Sequence, residues 1–298
     1  MKRRDFLTAT GAAAAAGLPL AHLARSAGRE GRPPNIVFIF IDDMGWRDLG
    51  FMGSSYYDTP NVDRLAHASM VFTDAYANAP NCAPTRACLL TGQYTPRHGI
   101  YTVGNPARGP AHLRKLIPIE NNTVLPRSAI TIADALQRAG YVSASMGKWH
   151  MGDPPDNDPT AQGFDVNIGG NHHGHPPAGY FPPYNLPNMG QPDPGEYLTD
   201  RLTDEAVDFI ERNQENPFFL YLTHYGVHTP LQAPENMVDK YREREPSQGH
   251  NNPVYGAMVE SIDHSTGRVL DTLDRLGLSD DTMVIFFSDN GGLGGYRK

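Results

Sequence analysis

Cys82 stands in a setting built for chemistry. In Asn81-Cys82-Ala-Pro-Thr-Arg86-Ala-Cys88-Leu-Leu-Thr-Gly92 it opens a short helix, with Pro84 near the first turn and Arg86 one turn on. Three readings of the thiol arise. The helix N-terminus and Arg86 would lower its pKa and make it a nucleophile, but the tyrosine-phosphatase pattern needs an arginine six positions after the cysteine, where Cys88 stands. A Cys82–Cys88 disulfide would span roughly 9 Å of helical rise, beyond the roughly 7 Å limit between Cα atoms. The third reading is plain structural burial. Four more polar groups share one trait, since each directly follows an apolar run: Asp42-Asp43, Lys148-Trp149-His150, His224 with His228, and Asp289-Asn290. Singly they read as helix caps, turns or solvated charges. Asp42, Asp43, Asp289 and Asn290 together offer only hard oxygen ligands, which suit Ca²⁺ or Mg²⁺ and not zinc. Three carboxylates gathered without a cation would repel one another.

Those groups need elements to carry them. Asn35-Ile-Val-Phe-Ile-Phe-Ile41 is continuous in β-branched and aromatic residues, the pattern of a strand covered on both faces. Tyr141–Met146, Pro217–Thr223 and Thr282–Phe287 repeat it, each after a helical pattern, so the spacing predicts βα alternation and a largely parallel sheet flanked by helices on both faces. The carboxyl ends of parallel strands line one crevice, where groups distant in sequence meet a ligand. Helices are expected with Thr59 capping Pro60, over Ile132–Ala139 from a Thr131 cap, over Thr199–Arg212 and over Val254–Leu276. Residues 152–195, rich in Pro, Gly, Asn and His, read as a long irregular loop. Its His172, His173 and His175 read as solvated, with substrate contact or a second metal site as the other readings. Tyr180, Phe181 and Tyr184 either stack on a sugar ring or pack the loop.

Composition narrows the function. The formal charge is −8, with no basic run past the N-terminus, which disfavours nucleic acid as a partner. Two cysteines exclude a disulfide scaffold, a Cys-rich zinc module and an iron–sulfur protein. Lys2, Arg3 and Arg4 precede an Ala-rich apolar stretch, so residues 1–27 read as a signal peptide of the twin-arginine type and the destination as periplasmic or secreted in a bacterium. Cleavage there removes Lys2, Arg3, Arg4, Arg25 and Asp5, leaving the mature chain at −11. Any site for an anionic substrate is then a local exception.

Cys82-Ala-Pro-Thr-Arg86 with Leu-Leu-Thr-Gly, Asn35-Ile-Val…Asp42-Asp43-Met-Gly upstream, Gly147-Lys-Trp-His150 in the middle and Ser288-Asp-Asn-Gly-Gly292 downstream closely resemble the type I sulfatases. The resemblance covers about residues 33–292 and implies an alkaline-phosphatase-like catalytic domain over 33–298. In that family the cysteine of C-x-P-S/T-R is oxidised to formylglycine by a separate maturation enzyme, and Cys82 matches it. By position, Asp42, Asp43, Asp289 and Asn290 would hold Ca²⁺, with Mg²⁺ as the alternative, together with residue 82. Arg86 would fix the formylglycine hydroxyl; Lys148 and His150 would contact sulfate and the geminal diol, with His150 the base for elimination. His228 would bind sulfate and protonate the leaving oxygen. His224 is given a structural role at the strand end or one in the site. The implied reaction releases inorganic sulfate from a sulfated glycan or aryl sulfate.

Two departures bear on this. Such sulfatases are longer, so the chain reads as C-terminally truncated, without the C-terminal subdomain. Their second active-site lysine lies in a Gly-Gly-Lys context beyond the Asp-Asn pair, and Lys298 stands too close to Asn290 to take that place. Two other functions remain open: a phosphate or phosphonate ester hydrolase on the same scaffold, and a truncated, non-catalytic protein that binds sulfated glycans.

Overall fold

Among the described residues five strands form the central sheet: β1 (Asn35–Ile41), β2 (Val142–Gly147), β3 (Val166–Ile168), β4 (Phe218–Thr223) and β5 (Thr282–Ser288). They pair in the order β3-β2-β4-β1-β5, and every ladder is parallel. The computed structural model describes residues 32–292, so the leader assigned to 1–27 and Lys298 lie outside the described residues.

Alternation along the strands builds two cores. Val37, Ile39 and Ile41 of β1 join Phe218, Leu220 and Leu222 of β4 on one face, while Phe40, Phe219 and Tyr221 join the other. The β4 run is thus covered on both sides, as its lack of polar alternation requires, while β5 at the sheet edge is only partly covered and leaves Met283 exposed. The first face is closed by α1 (Pro60–His67), α5 (Leu198–Arg212), α6 (Glu235–Arg242) and α7 (Pro253–Arg275). The second is closed by α2 (Cys82–Thr91) and α4 (Ile132–Arg138), with the short α3 (Thr95–His98) beside α2.

Local signals set several boundaries. Thr131 and Asp134 form a reciprocal capping box at the start of α4. Asn252 caps α7 through Val254 and Tyr255, ahead of Pro253 at the first position. Thr59 stands before α1 but its hydroxyl does not cap it; it accepts from Gly50 N at 2.8 Å and donates to Asp63 Oδ1 at 3.0 Å. Residues 152–195 are more ordered than their composition suggests. They hold a 3₁₀ turn (Pro159–Gln162) and β3, three residues that lie on Ala144–Met146 of β2. So short a strand has no period to read, and only its pairing with β2 defines it.

Candidate active site

All four polar groups stand at carboxyl ends of the sheet: Asp42-Asp43 after β1, Lys148–His150 after β2, His224 after β4 and Asp289-Asn290 after β5. Gly147 makes the turn out of β2, with φ at +108° and a position where a Cβ would lie 2.0 Å from the Thr223 carbonyl oxygen. That close approach lets the Lys148 amide donate to the same oxygen at 2.7 Å. The loop after β4 is stitched to β1, since Asp42 N donates to the Gly226 carbonyl at 3.0 Å and Val227 N to the Asp42 carbonyl at 2.7 Å. Asp43 (φ +58°) and His150 (φ +65°) are both left-handed, a strained conformation for residues with a Cβ that persists where the surroundings enforce it.

The side chains converge. Asp43 N donates to Asp289 Oδ1 at 3.1 Å, and Asn290 Nδ2 to Asp43 Oδ1 at 2.7 Å. One carboxylate oxygen each from Asp42, Asp43 and Asp289 lies within 4.8 Å of the others, and the same spacing relates Asp42, Cys82 Sγ and His228. Asp42 Oδ1 and Asn290 Oδ1 are buried without a hydrogen-bond partner. Unpartnered hard oxygens beside clustered carboxylates are what a bound divalent cation satisfies, so these residues fit the Ca²⁺ or Mg²⁺ expected from the sequence.

Two buried cations face that cluster. Lys148 Nζ donates to Asp42 Oδ2. Arg86 Nη2 lies 3.4 Å from Asp289 Oδ2 and 3.8 Å from Asp42 Oδ1, its Nη1 donates to the Lys148 carbonyl at 2.9 Å and to Thr223 Oγ1, and its guanidinium sits 4.8 Å over the Phe40 ring. Burial nevertheless raises the Asp42 carboxyl well above the usual carboxylate range, with Asp289 adding to the rise and Lys148 opposing it. Three clustered carboxyls thus oppose one another's charge where no cation stands among them.

Cys82 begins α2 at 6% exposure. Burial pushes its thiol up to about 12, with Asp42 adding to the rise and Lys148 opposing it. This corrects the reading of Cys82 as a thiolate nucleophile activated by Arg86, because that arginine is already compensated by two carboxylates. Both cysteines are free. Cys88 Sγ lies 3.4 Å from His98 Nε2, whose Nδ1 accepts from Ile100 N, so Nε2 carries the proton.

The histidines separate by environment. Burial, then Lys148 and Arg86, lowers His150 to about 2, and its Nδ1 is buried without a partner. The ring is therefore neutral. Burial and Lys148 also lower His228. Its Nδ1 donates to the Thr229 carbonyl at 2.7 Å, because a carbonyl only accepts, leaving Nε2 3.7 Å from Asp43 Oδ2. His224 turns away from the cluster to Ser265 Oγ at 2.9 Å, and burial lowers it to about 3. His175 stacks parallel to His228 with centroids 6.4 Å apart, while His172 Nδ1 contacts Asp153 Oδ1 at 2.7 Å. Gly174 packs so tightly on His150 that an added Cβ would meet its Cε1 at 2.4 Å. Segment 171–175 thus lies against the site.

Packing accounts for two of the three loop aromatics. Tyr180 is fully buried and its hydroxyl lies 2.7 Å from both the Tyr225 and His228 carbonyls; Tyr184 is buried and donates to the Glu196 carbonyl at 2.8 Å. Neither presents a face to a sugar. Sequence reasoning missed Thr223, which joins Arg86 to the Lys148 carbonyl. A hydroxyl ending the apolar run of β4 was its readable signal.

A parallel sheet flanked by helices, with clustered carboxylates and a helix-borne cysteine at its strand ends, is an α/β scaffold of the alkaline-phosphatase-like fold. Within it, the chain belongs to the sulfatase family, whose family model, Sulfatase, matches residues 34–297. It is 35% identical over 286 residues to the N-acetylgalactosamine-6-sulfatase of Mus musculus, an alignment covering 87% of this chain and 51% of that protein. A sulfatase of Formosa agariphila is 30% identical over 323 residues, covering 88% and 58%. Among solved structures, that of Ps i-CgsB in complex with k-i-k-neocarrahexaose superposes with a TM-score of 0.71 at 34% identity, covering 88% of this chain and 59% of that one. The phosphonate monoester hydrolase of Agrobacterium radiobacter shares the fold at a TM-score of 0.61 and 20% identity. The chain spans about half the length of the curated relatives it matches.

Proposed function

We propose that this chain forms the catalytic face of a sulfuric ester hydrolase that releases inorganic sulfate from a sulfated glycan or aryl sulfate. The observation that carries the reading is the convergence of Cys82, Asp42 and His228 within 4.8 Å, beside the buried cations Arg86 and Lys148. Cys82-Ala-Pro-Thr-Arg86 at the start of α2, in a chain of the sulfatase family, supports conversion of Cys82 to formylglycine by a maturation enzyme before catalysis. The hydrated aldehyde at residue 82 supplies two geminal hydroxyls, one to attack sulfur and one to expel sulfate.

Asp42, Asp43, Asp289 and Asn290, with residue 82, would hold Ca²⁺ or Mg²⁺, which supplies Lewis acidity toward the nucleophile and the sulfate oxygens. Arg86 and Lys148 place positive charge where the transferring group is anionic, in a desolvated site where it acts strongly. His228, held by Thr229 through Nδ1, turns Nε2 toward Asp43, and once that nitrogen is also protonated the imidazolium gives its Nε2 proton to the departing alcohol oxygen. His150, kept neutral, is able to accept one.

We further propose twin-arginine export of the folded, modified protein; among the described residues no helix is long and apolar enough to cross a membrane. Mass spectrometry of the peptide containing Cys82, on protein co-expressed with a maturation enzyme, tests the central reading. An aldehyde in place of the thiol supports the formylglycine route, and release of sulfate in preference to phosphate then separates the two ester classes. A thiol retained beside a competent maturation enzyme would transfer support to a glycan-binding protein without turnover.

A further inference from the structure

On a chain of formal charge −8, the stretch between Asp74 and Glu120 holds no acidic residue, yet it carries Arg86, Arg97, Arg108, Arg114 and Lys115. Arg86 is compensated in the buried cluster. The other four are exposed, and none forms an ion pair among the described residues. Arg108 donates to the Val103 carbonyl at 2.5 Å, and Arg114 to the carbonyls of Ala107, Arg108 and Gly109 at 3.1, 3.1 and 2.8 Å. Bonds to neutral carbonyls order a guanidinium without cancelling its charge.

The loop is anchored at the mouth of the site. Asn81, the residue before Cys82, donates from Nδ2 to Thr102 Oγ1 at 3.1 Å. Asn121 accepts from the amides of Tyr101 and Thr102 at 2.7 and 3.0 Å and donates to the carbonyls of Thr102 and Gly104. Asn122 donates to the His98 carbonyl at 3.1 Å. Two ordered and uncompensated guanidinium groups, Arg108 and Arg114, thus stand on a loop tied to the residue that precedes the candidate nucleophile, with Arg97 and Lys115 exposed on the same stretch.

We propose that loop 97–115 is an outer anion subsite for a sulfated polysaccharide, whose further sulfates lie on Arg97, Arg108, Arg114 and Lys115 while one sulfate occupies the inner site. The proposal rests on the sulfate-ester reading and deepens it, naming a polymer carrying repeated anions as the substrate in place of a lone aryl sulfate. Net negative charge over the rest of the chain repels a polyanion elsewhere and confines it to this face. Leu113, Leu116 and Ile117, exposed among the same cations, would also suit an anionic bilayer. Attachment of the loop beside Cys82 favours the glycan, and vesicles form the opposing arm of the test.

The full chain is titrated calorimetrically with dextran sulfate, with neutral dextran and with phosphatidylserine vesicles, at low and high salt. Arg97→Glu with Lys115→Glu is compared with Arg138→Glu, which alters an exposed cation on α4; Arg108 and Arg114 are left intact because they hold loop carbonyls. Dextran sulfate alone should bind, and the double variant should weaken it roughly tenfold at low salt and less at high salt, while Arg138→Glu changes it less than about twofold. Equal weakening by Arg138→Glu, no binding of dextran sulfate, or vesicle binding that alone depends on the loop would each overturn the proposal. Binding needs no turnover, so sulfate release from p-nitrophenyl sulfate, measured separately, tests the hydrolase reading independently.

Discussion

His228 and His224 stand four residues apart in one loop and receive opposite tasks from their neighbours. His228 keeps Nε2 at the carboxylate cluster, so His228→Asn should remove the group that, as an imidazolium beside Asp43, gives a proton to the leaving oxygen. The loss should be about a hundredfold or more for an alkyl sulfate and markedly smaller for p-nitrophenyl sulfate, whose leaving group needs no proton. Equal losses on both, in steady-state assays, would exclude the acid role. His224 is held neutral by burial, at about 3, whereas in the unfolded chain it titrates near ~6.5. The unfolded state then binds more protons below that value, and stability falls as pH drops from about 6.5 toward about 3. His224→Gln should flatten the pH slope of unfolding free energy in that window by up to about 1.4 kcal/mol per pH unit, measured by urea denaturation at several pH values.

At the scale of elements, the turn that leaves β2 is the most exacting. Gly147→Ala would combine a left-handed φ with a Cβ driven against the backbone of β4. It should cost about 2–4 kcal/mol in urea denaturation and displace Lys148; a loss below about 1 kcal/mol would show that the strand ends relax. The four long strands and the helices behind them were legible because their signals are local: unbroken apolar runs in β1 and β4, Thr131 with Asp134 before α4, Pro253 after Asn252. β3 was not, because three residues carry no period, and neither was α6, whose Glu235–Arg242 shows few apolar positions. The strand-end groups could be read as a set because parallel strands deliver their carboxyl ends to one edge. Electrostatics beyond that reach was hidden. That Arg86 would spend its charge on Asp42 and Asp289, leaving Cys82 protonated, depends on desolvation and on contacts more than 200 residues apart. Likewise, whether Tyr180 stacks on a ligand or clasps the loop after β4 depends on carbonyls that no local pattern reveals.

For the molecule as a whole, a cation held by the carboxylate cluster would couple stability to its supply. Ca²⁺ should raise Tm in a concentration-dependent way, by the equivalent of about 2.7 kcal/mol at a hundredfold excess over Kd. Burial drives the Asp42 carboxyl toward its protonated form and a bound cation favours the carboxylate, so affinity should rise with pH. Calorimetry at two pH values in buffers of different ionisation enthalpy checks this; pH-independent affinity with no proton release would show that Asp42 is not a ligand. The strand order has a temporal side as well. β5 lies beside β1, yet it is the last of the five strands to be made, and Asp289 and Asn290 arrive 246 and 247 residues after Asp43. Until β5 emerges, the nascent chain carries Asp42 and Asp43 without the two residues that would close the cluster. Cation binding on the ribosome would then report the moment at which β5 docks on β1.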